Sequence, residues 1–123
     1  MANPNIVNVT SIYGSTSYLI PANTSVNTWT ALTPATGTVN RVNNIVASNV
    51  TGSSVAVTVS INSATAGGGT AYRIAYQISV PANASLIIVD KSTAIYVGES
   101  QSIVVTVGTS SAIELTASFE AIT

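Results

Sequence analysis

Apolar residues recur at every second position through most of this chain, and that period dictates β-strands whose two faces meet different surroundings. In residues 54–62, Val55, Val57, Val59 and Ile61 share one face, and Ala56, Thr58 and Ser60 share the other. Residues 71–80 set Tyr72, Ile74, Tyr76, Ile78 and Val80 against Ala71, Arg73, Ala75, Gln77 and Ser79. Residues 112–121 set Ile113, Leu115, Ala117, Phe119 and Ala121 against Glu114, Thr116, Ser118 and Glu120. The charged groups of these three segments all fall on the less apolar face, as in a sheet with one side on a core and one in water. No segment carries a helical period.

Further strands are expected at 6–12, 17–20, 28–32, 38–50, 85–90, 94–97 and 101–107. The long one should bulge near Asn43 and Asn44, because its alternation changes phase between Val39 and Val42. Thr51-Gly52-Ser53 reads as a hairpin turn into the 54–62 strand, and Ala66-Gly67-Gly68-Gly69-Thr70 as a mobile hairpin tip before residue 71. Residues 97–100 and 108–111 supply the later turns. About eight to ten short strands, mostly in sequential hairpins, make the expected fold all-β: an antiparallel β-sandwich, jelly-roll-like, spanning residues 1–123 as one domain. Residues 1–5 are polar and read as an N-terminal arm. Ile20-Pro21-Ala22-Asn23 and Val80-Pro81-Ala82-Asn83 echo each other, each placing a Pro just past a strand and an Asn that tolerates left-handed backbone, as at equivalent corners of a sandwich.

The composition removes most of the chemistry an enzyme uses. The 123 residues contain no His and no Cys, and only 6% are charged. There is accordingly no imidazole base, no thiolate and none of the usual zinc or copper ligand sets, so no cofactor or metal is expected. A net charge of -1 supplies no basic field for nucleic acid or for an anionic membrane surface. The longest strongly apolar run, Leu86-Ile87-Ile88-Val89, falls far short of the ~20 residues of a membrane-spanning helix. The first residues lack the basic and apolar regions of a secretory signal, so synthesis in a cytoplasm and release by lysis are expected.

The remaining candidate sites read as structural. Asp90-Lys91 ends a strand and reads as a solvated terminus. Glu114 and Glu120, six positions apart on one strand face, are separated by about 20 Å at the usual rise, too far for a paired-carboxylate glycosidase. The glycine-rich loop lacks the Lys and following helix of a phosphate-binding loop. Asn-x-Ser/Thr triplets at Asn8, Asn23, Asn49 and Asn83 are what chance gives in a chain this rich in those residues. Tyr72 and Tyr76 share a face with Ile74 and Ile78 and are read as core in preference to a sugar-stacking platform. Trp29, in the polar stretch Asn27-Thr28-Trp29-Thr30, is a candidate interface anchor, with burial inside the monomer as the equal alternative. Ile6, Val7 and Val9 would anchor the arm on a neighbour's sheet.

Residues 1–14 (MANPNIVNVTSIYG), 66–75 (AGGGTAYRIA) and 78–96 (ISVPANASLIIVDKSTAIY) resemble small virion structural proteins of tailed phages infecting cyanobacteria, with residues 28–40 matching least. The resemblance implies a non-enzymatic component of the mature virion, assembled in the host cytoplasm. Together with the charge-poor β-surface it leads to the expectation of a homo-oligomeric capsid decoration, or cement, protein that binds the major capsid protein or other virion proteins. The alternative is a neck, tail or fibre component that recognises host glycan.

Overall fold

The computed structural model describes residues 8–123, and their chain is a β-sandwich of nine strands in two antiparallel sheets. In chain order these are β1 (Ile12–Leu19), β2 (Asn27–Thr28), β3 (Val39–Asn49), β4 (Val55–Asn62), β5 (Ala71–Val80), β6 (Ser85–Val89), β7 (Ile95–Val97), β8 (Ser102–Val107) and β9 (Ile113–Ile122). The first sheet runs β1-β9-β3-β6, with β7 also on β3, and the second runs β2-β8-β4-β5. The expected arm at 1–5, and Ile6 and Val7, lie outside the described residues.

The topology is that of a long hairpin rolled into a cylinder. Partners stay almost equidistant from the glycine-rich loop: Ile12 faces Ile122, Asn27 faces Val105, Val46 faces Ile87 and Asn62 faces Ala71. Rolling such a two-chain ribbon throws successive strands onto alternate sheets, which is the jelly roll. The expectation of sequential hairpins is corrected by this order. Among the described residues only β4 and β5 form a direct hairpin; Thr51-Gly52-Ser53 instead turns the corner from β3 in one sheet to β4 in the other. The two Pro-Ala-Asn segments are also such corners, from β1 to β2 and from β5 to β6. Of their asparagines, Asn83 takes the left-handed conformation at φ 56°.

The alternation then explains the core. Val55, Val57 and Val59 of β4, Ile103, Val105 and Val107 of β8, Val42, Ile45 and Ala47 of β3, and Ile113, Leu115 and Ala117 of β9 close on one another between the sheets. Each fully buried Val, Ile or Leu contributes about 1.5–3 kcal/mol of transfer free energy. The phase change in β3 is a bulge between Val42 and Asn44 against β9, where Asn44 Oδ1 accepts the Ser118 N–H at 3.0 Å.

Three strands differ from expectation. Within the described part of the expected segments 6–12 and 17–20, residues 8–20 carry β1, a single strand through Gly14. The 28–32 segment is strand only at Asn27–Thr28 and then makes a 3₁₀ turn at Thr30–Leu32. In β5 the alternation does not translate into burial. Its register against β4 slips twice, between Val57 and Val59 and again between Val59 and Ser60, so β5 carries extra residues and Gln77 sits at φ 49°. As an outermost strand it lacks a neighbour on one side to bury the displaced side chains. Tyr72 and Tyr76 are therefore 61% and 58% exposed, which overturns their reading as core.

Candidate interaction surface

Trp29 is not an exposed anchor but a core residue at 1% exposure, and the interface reading of it is corrected. Its backbone N–H donates to Ile103 O at 2.8 Å, which places the indole between the sheets, and Nε1 donates to Ser17 Oγ at 3.0 Å. The polar neighbours that suggested exposure belong to the short strand and turn around it. Val9 is half-buried just ahead of β1.

The acids do not converge. Asp90 caps the 3₁₀ turn Lys91–Thr93 by accepting from the N–H groups of Ser92 and Thr93, with Thr93 Oγ1 returning to the Asp90 N–H in a capping box. The Ser92 hydroxyl and N–H hold its carboxyl below the ordinary 3.8. Glu99 Oε2 accepts the Gly37 N–H at 2.6 Å. Glu120 meets Arg41 at 3.4 Å across β3 and β9, a partly solvated pair worth about 0–1 kcal/mol. Among the described residues no group of three or more acids is placed to hold a metal ion.

The glycine-rich loop, the tip of the β4–β5 hairpin, is tied to the sheet beside it. Asn62 Nδ2 donates to Gly67 O at 2.9 Å, the Gly67 N–H donates to Ser102 Oγ at 3.0 Å, and the Ser102 hydroxyl donates to Ala64 O at 2.8 Å. These bonds fold the loop back over the outer face of the second sheet, where Val104, Ser60, Asn62 and Ser102 are buried. A Cβ on Gly67, already at φ +76°, would stand 2.8 Å from Thr28 Oγ1. The Gly67, Gly68 and Thr70 amides, which a phosphate would have needed, are engaged internally by Ser102 Oγ, Thr65 O and Ser63 Oγ.

The corner between β3 and β4 is also pinned. Asn49, 3% exposed, donates to Ser53 O at 2.7 Å and Val80 O at 3.0 Å and accepts from the Thr51 N–H and hydroxyl. All its hydrogen-bonding capacity is used. A side chain so enclosed offers no amide for glycosylation.

Among the exposed residues are several large apolar and aromatic side chains. Ile12, Tyr13, Tyr18 and Ile20 lie on or beside β1; Tyr72, Tyr76 and Ile78 on β5; Ile87 and Tyr96 on β6 and β7. On the outer face of the first sheet one row crosses four strands, Tyr18, Thr116, Val46 and Ile87. The second sheet has on its outer side a depression of about 250 Å³ lined by Thr24, Ala56, Thr58, Gln77, Thr106, Val107 and Gly108, without a charged group. These surfaces suit association, and sequence reasoning missed those on β1 and β5.

No family model matches the chain, and no curated protein matches it. Among solved structures, it is similar to a chain from the cryo-EM structure of the extra small virus virus-like particle of the giant freshwater prawn Macrobrachium rosenbergii. That similarity has 14% identity and a TM-score of 0.38, and covers 98% of this chain and 85% of that one. No helix of the described residues is long and apolar enough to cross a membrane.

Proposed function

We propose that this protein is a non-enzymatic structural component of a virion, a capsid decoration protein that binds the assembled shell and reinforces it. The observation that carries this reading is the joint presence of large exposed hydrophobics on β1, β5, β6 and β7 and a chain only 6% charged. Such a surface is solvated poorly by itself and gains by covering, at about 25 cal/mol per Å² before the entropy of association is subtracted. The resemblance to phage virion proteins supports a particle as the place where that covering occurs. Asp90, Glu99 and Glu120 each serve a local structural contact, and no three acids converge among the described residues, which supports a role without catalysis.

Quantitative mass spectrometry of purified particles tests the reading. Hundreds of copies per particle are expected of a shell lattice, and their attachment should survive moderate salt because apolar contacts are not screened. Six or twelve copies, or release by salt alone, contradict it.

One observation favours the alternative of a neck, tail or fibre module that binds host glycan. Tyr72 and Tyr76 stand exposed on β5, the strand that leaves the polar loop 63–70, although the Arg73 guanidinium lies 5.3 Å from the Tyr76 ring centre and occupies part of it. Glycan binding that is lost in Tyr72→Ala while copy number stays low would establish that alternative.

A further inference from the structure

A sheet edge presents unpaired N–H and C=O groups, and proteins that remain monomeric blunt their edges by shortness, bulges, charge or interruption. Three of the four edges described here are blunted. β2 is two residues long. β5 is bulged twice, turns left-handed at Gln77 and carries Arg73. The β6 and β7 edge is interrupted by the 3₁₀ turn Lys91–Thr93, with Asp90 and Lys91 at the break. β1 has none of these protections. It runs eight residues in unbroken register with β9, contains no Pro and no charge, and has no partner on its other side among the described residues.

The direction of its free groups follows from the ladder. Ser11 and Thr123 exchange both backbone hydrogen bonds, so Tyr13, Ser15, Ser17 and Leu19 continue the bonding to β9. Ile12, Gly14, Thr16 and Tyr18 therefore turn their N–H and C=O groups to the open edge. The side chains of this even set face outward, since Ser17 of the odd set meets Trp29 and Leu19 packs against the core.

We propose that β1 is the site at which two copies of this chain join, antiparallel, about a two-fold axis through Thr16, so that their first sheets become one continuous sheet. The sequence of the strand is self-complementary in that register. A two-fold normal to the sheet keeps outward residues against outward ones and sets Ile12 against Ile20, Tyr13 against Leu19, Gly14 against Tyr18 and Ser15 against Ser17. The Tyr18 ring, 78% exposed, then lies over Gly14, where a Cβ would meet nothing within 4 Å; an aromatic across from an edge glycine fills the gap that the glycine leaves. Tyr13 faces inward yet is 69% exposed, because β2 offers only two residues beneath the edge. The partner's Leu19 would cover it.

Absence of charge on the strand means that self-pairing brings no like charges together. At roughly 200 Å² per aromatic side chain the exposed parts of Tyr13 and Tyr18 come to about 300 Å² per copy. With Ile12, Ile20 and the edge backbone, two copies together approach the ~1,200 Å² at which specific interfaces begin. A foreign strand would satisfy the same backbone groups without this side-chain match. The proposal goes beyond the shell-binding reading and stands or falls without it.

Sedimentation equilibrium of the intact chain, with three variants, tests it. Wild type is expected to dimerise well below about 100 µM. Thr16→Pro removes an N–H that points to the open edge and leaves the ladder to β9 whole, so it should yield a folded monomer. Tyr18→Lys, at an exposed position, should weaken the dimer at least ~10-fold and leave the melting curve unshifted at a dilution where both proteins are monomeric. Since the chain has no cysteine, a mixture of Ser15→Cys and Ser17→Cys chains should form a disulfide-linked heterodimer, the two positions being a close non-hydrogen-bonded pair. A wild type that stays monomeric at about 100 µM, a dimer indifferent to Tyr18→Lys, or a dimer whose mixed cysteine chains fail to cross-link overturns the proposal.

Discussion

β1 and β5 are the two long outermost strands of this sandwich, and they solve the problem of being last in a sheet in opposite ways. β5 is longer and carries more apolar residues, yet its slipped register and the left-handed Gln77 leave no straight row of free backbone groups. β1 is shorter and more polar in its middle, yet its register is unbroken. Hydrophobicity alone would have nominated β5 as the adhesive edge; backbone regularity nominates β1. What makes an edge available is therefore the ladder it presents, with side chains deciding which strand fits it.

The largest effect should come from removing what fastens β1. Trp29→Ala opens a cavity between the sheets and leaves Ser17 without its indole partner, so a loss of about 3–5 kcal/mol in urea unfolding is expected. A loss below about 1 kcal/mol would mean that β1 is held by β9 alone. Asn49→Ala does the equivalent at the end of β5, where Val80 O and Ser53 O lose their donor. Equilibrium unfolding should show a cost of about 1–3 kcal/mol.

Smaller in stability, though sharper as a contrast, is a pair of exposed substitutions. Tyr18→Lys on β1 and Tyr76→Lys on β5 should each change folding stability by no more than about 0.5 kcal/mol. Only the first should weaken self-association, and equal weakening by both would erase the distinction between the edges.

The smallest effect lies at the third edge. The Asp90 carboxyl is held below the ordinary 3.8 by its bonds from Ser92 and then Thr93, so what it contributes is present above that value and is lost as pH falls through its folded pKa. Titration followed by the carboxyl carbon shift should give a midpoint under 3.8, and Ser92→Ala should move it back upward. An unmoved midpoint would show that the capping box does not form.

How much of this was legible follows from where burial acts. β4 and β9 are central strands with one face on the core, so their alternation maps directly onto Val55, Val57 and Val59 and onto Ile113, Leu115 and Ala117. The bulge in β3 was legible because a buried strand cannot change phase without one. β1 left almost no trace, since most of its side chains stay exposed on both faces and nothing imposes a period on Gly14-Ser15-Thr16-Ser17. β5 misled for the converse reason: its sequence alternates while its backbone does not. Trp29 was hidden by polar neighbours that lie in a turn, and the pairing of distant halves around the glycine-rich loop is a tertiary property that no local window contains.

Residue-resolved amide exchange at two protein concentrations tests the contrast between the edges most directly. If the account holds, the N–H groups of Gly14, Thr16 and Tyr18 become protected as concentration rises and exchange freely on dilution, while those along the open side of β5 exchange alike at both. Concentration-dependent protection on β5, or rapid exchange of Gly14, Thr16 and Tyr18 at both concentrations, would contradict it.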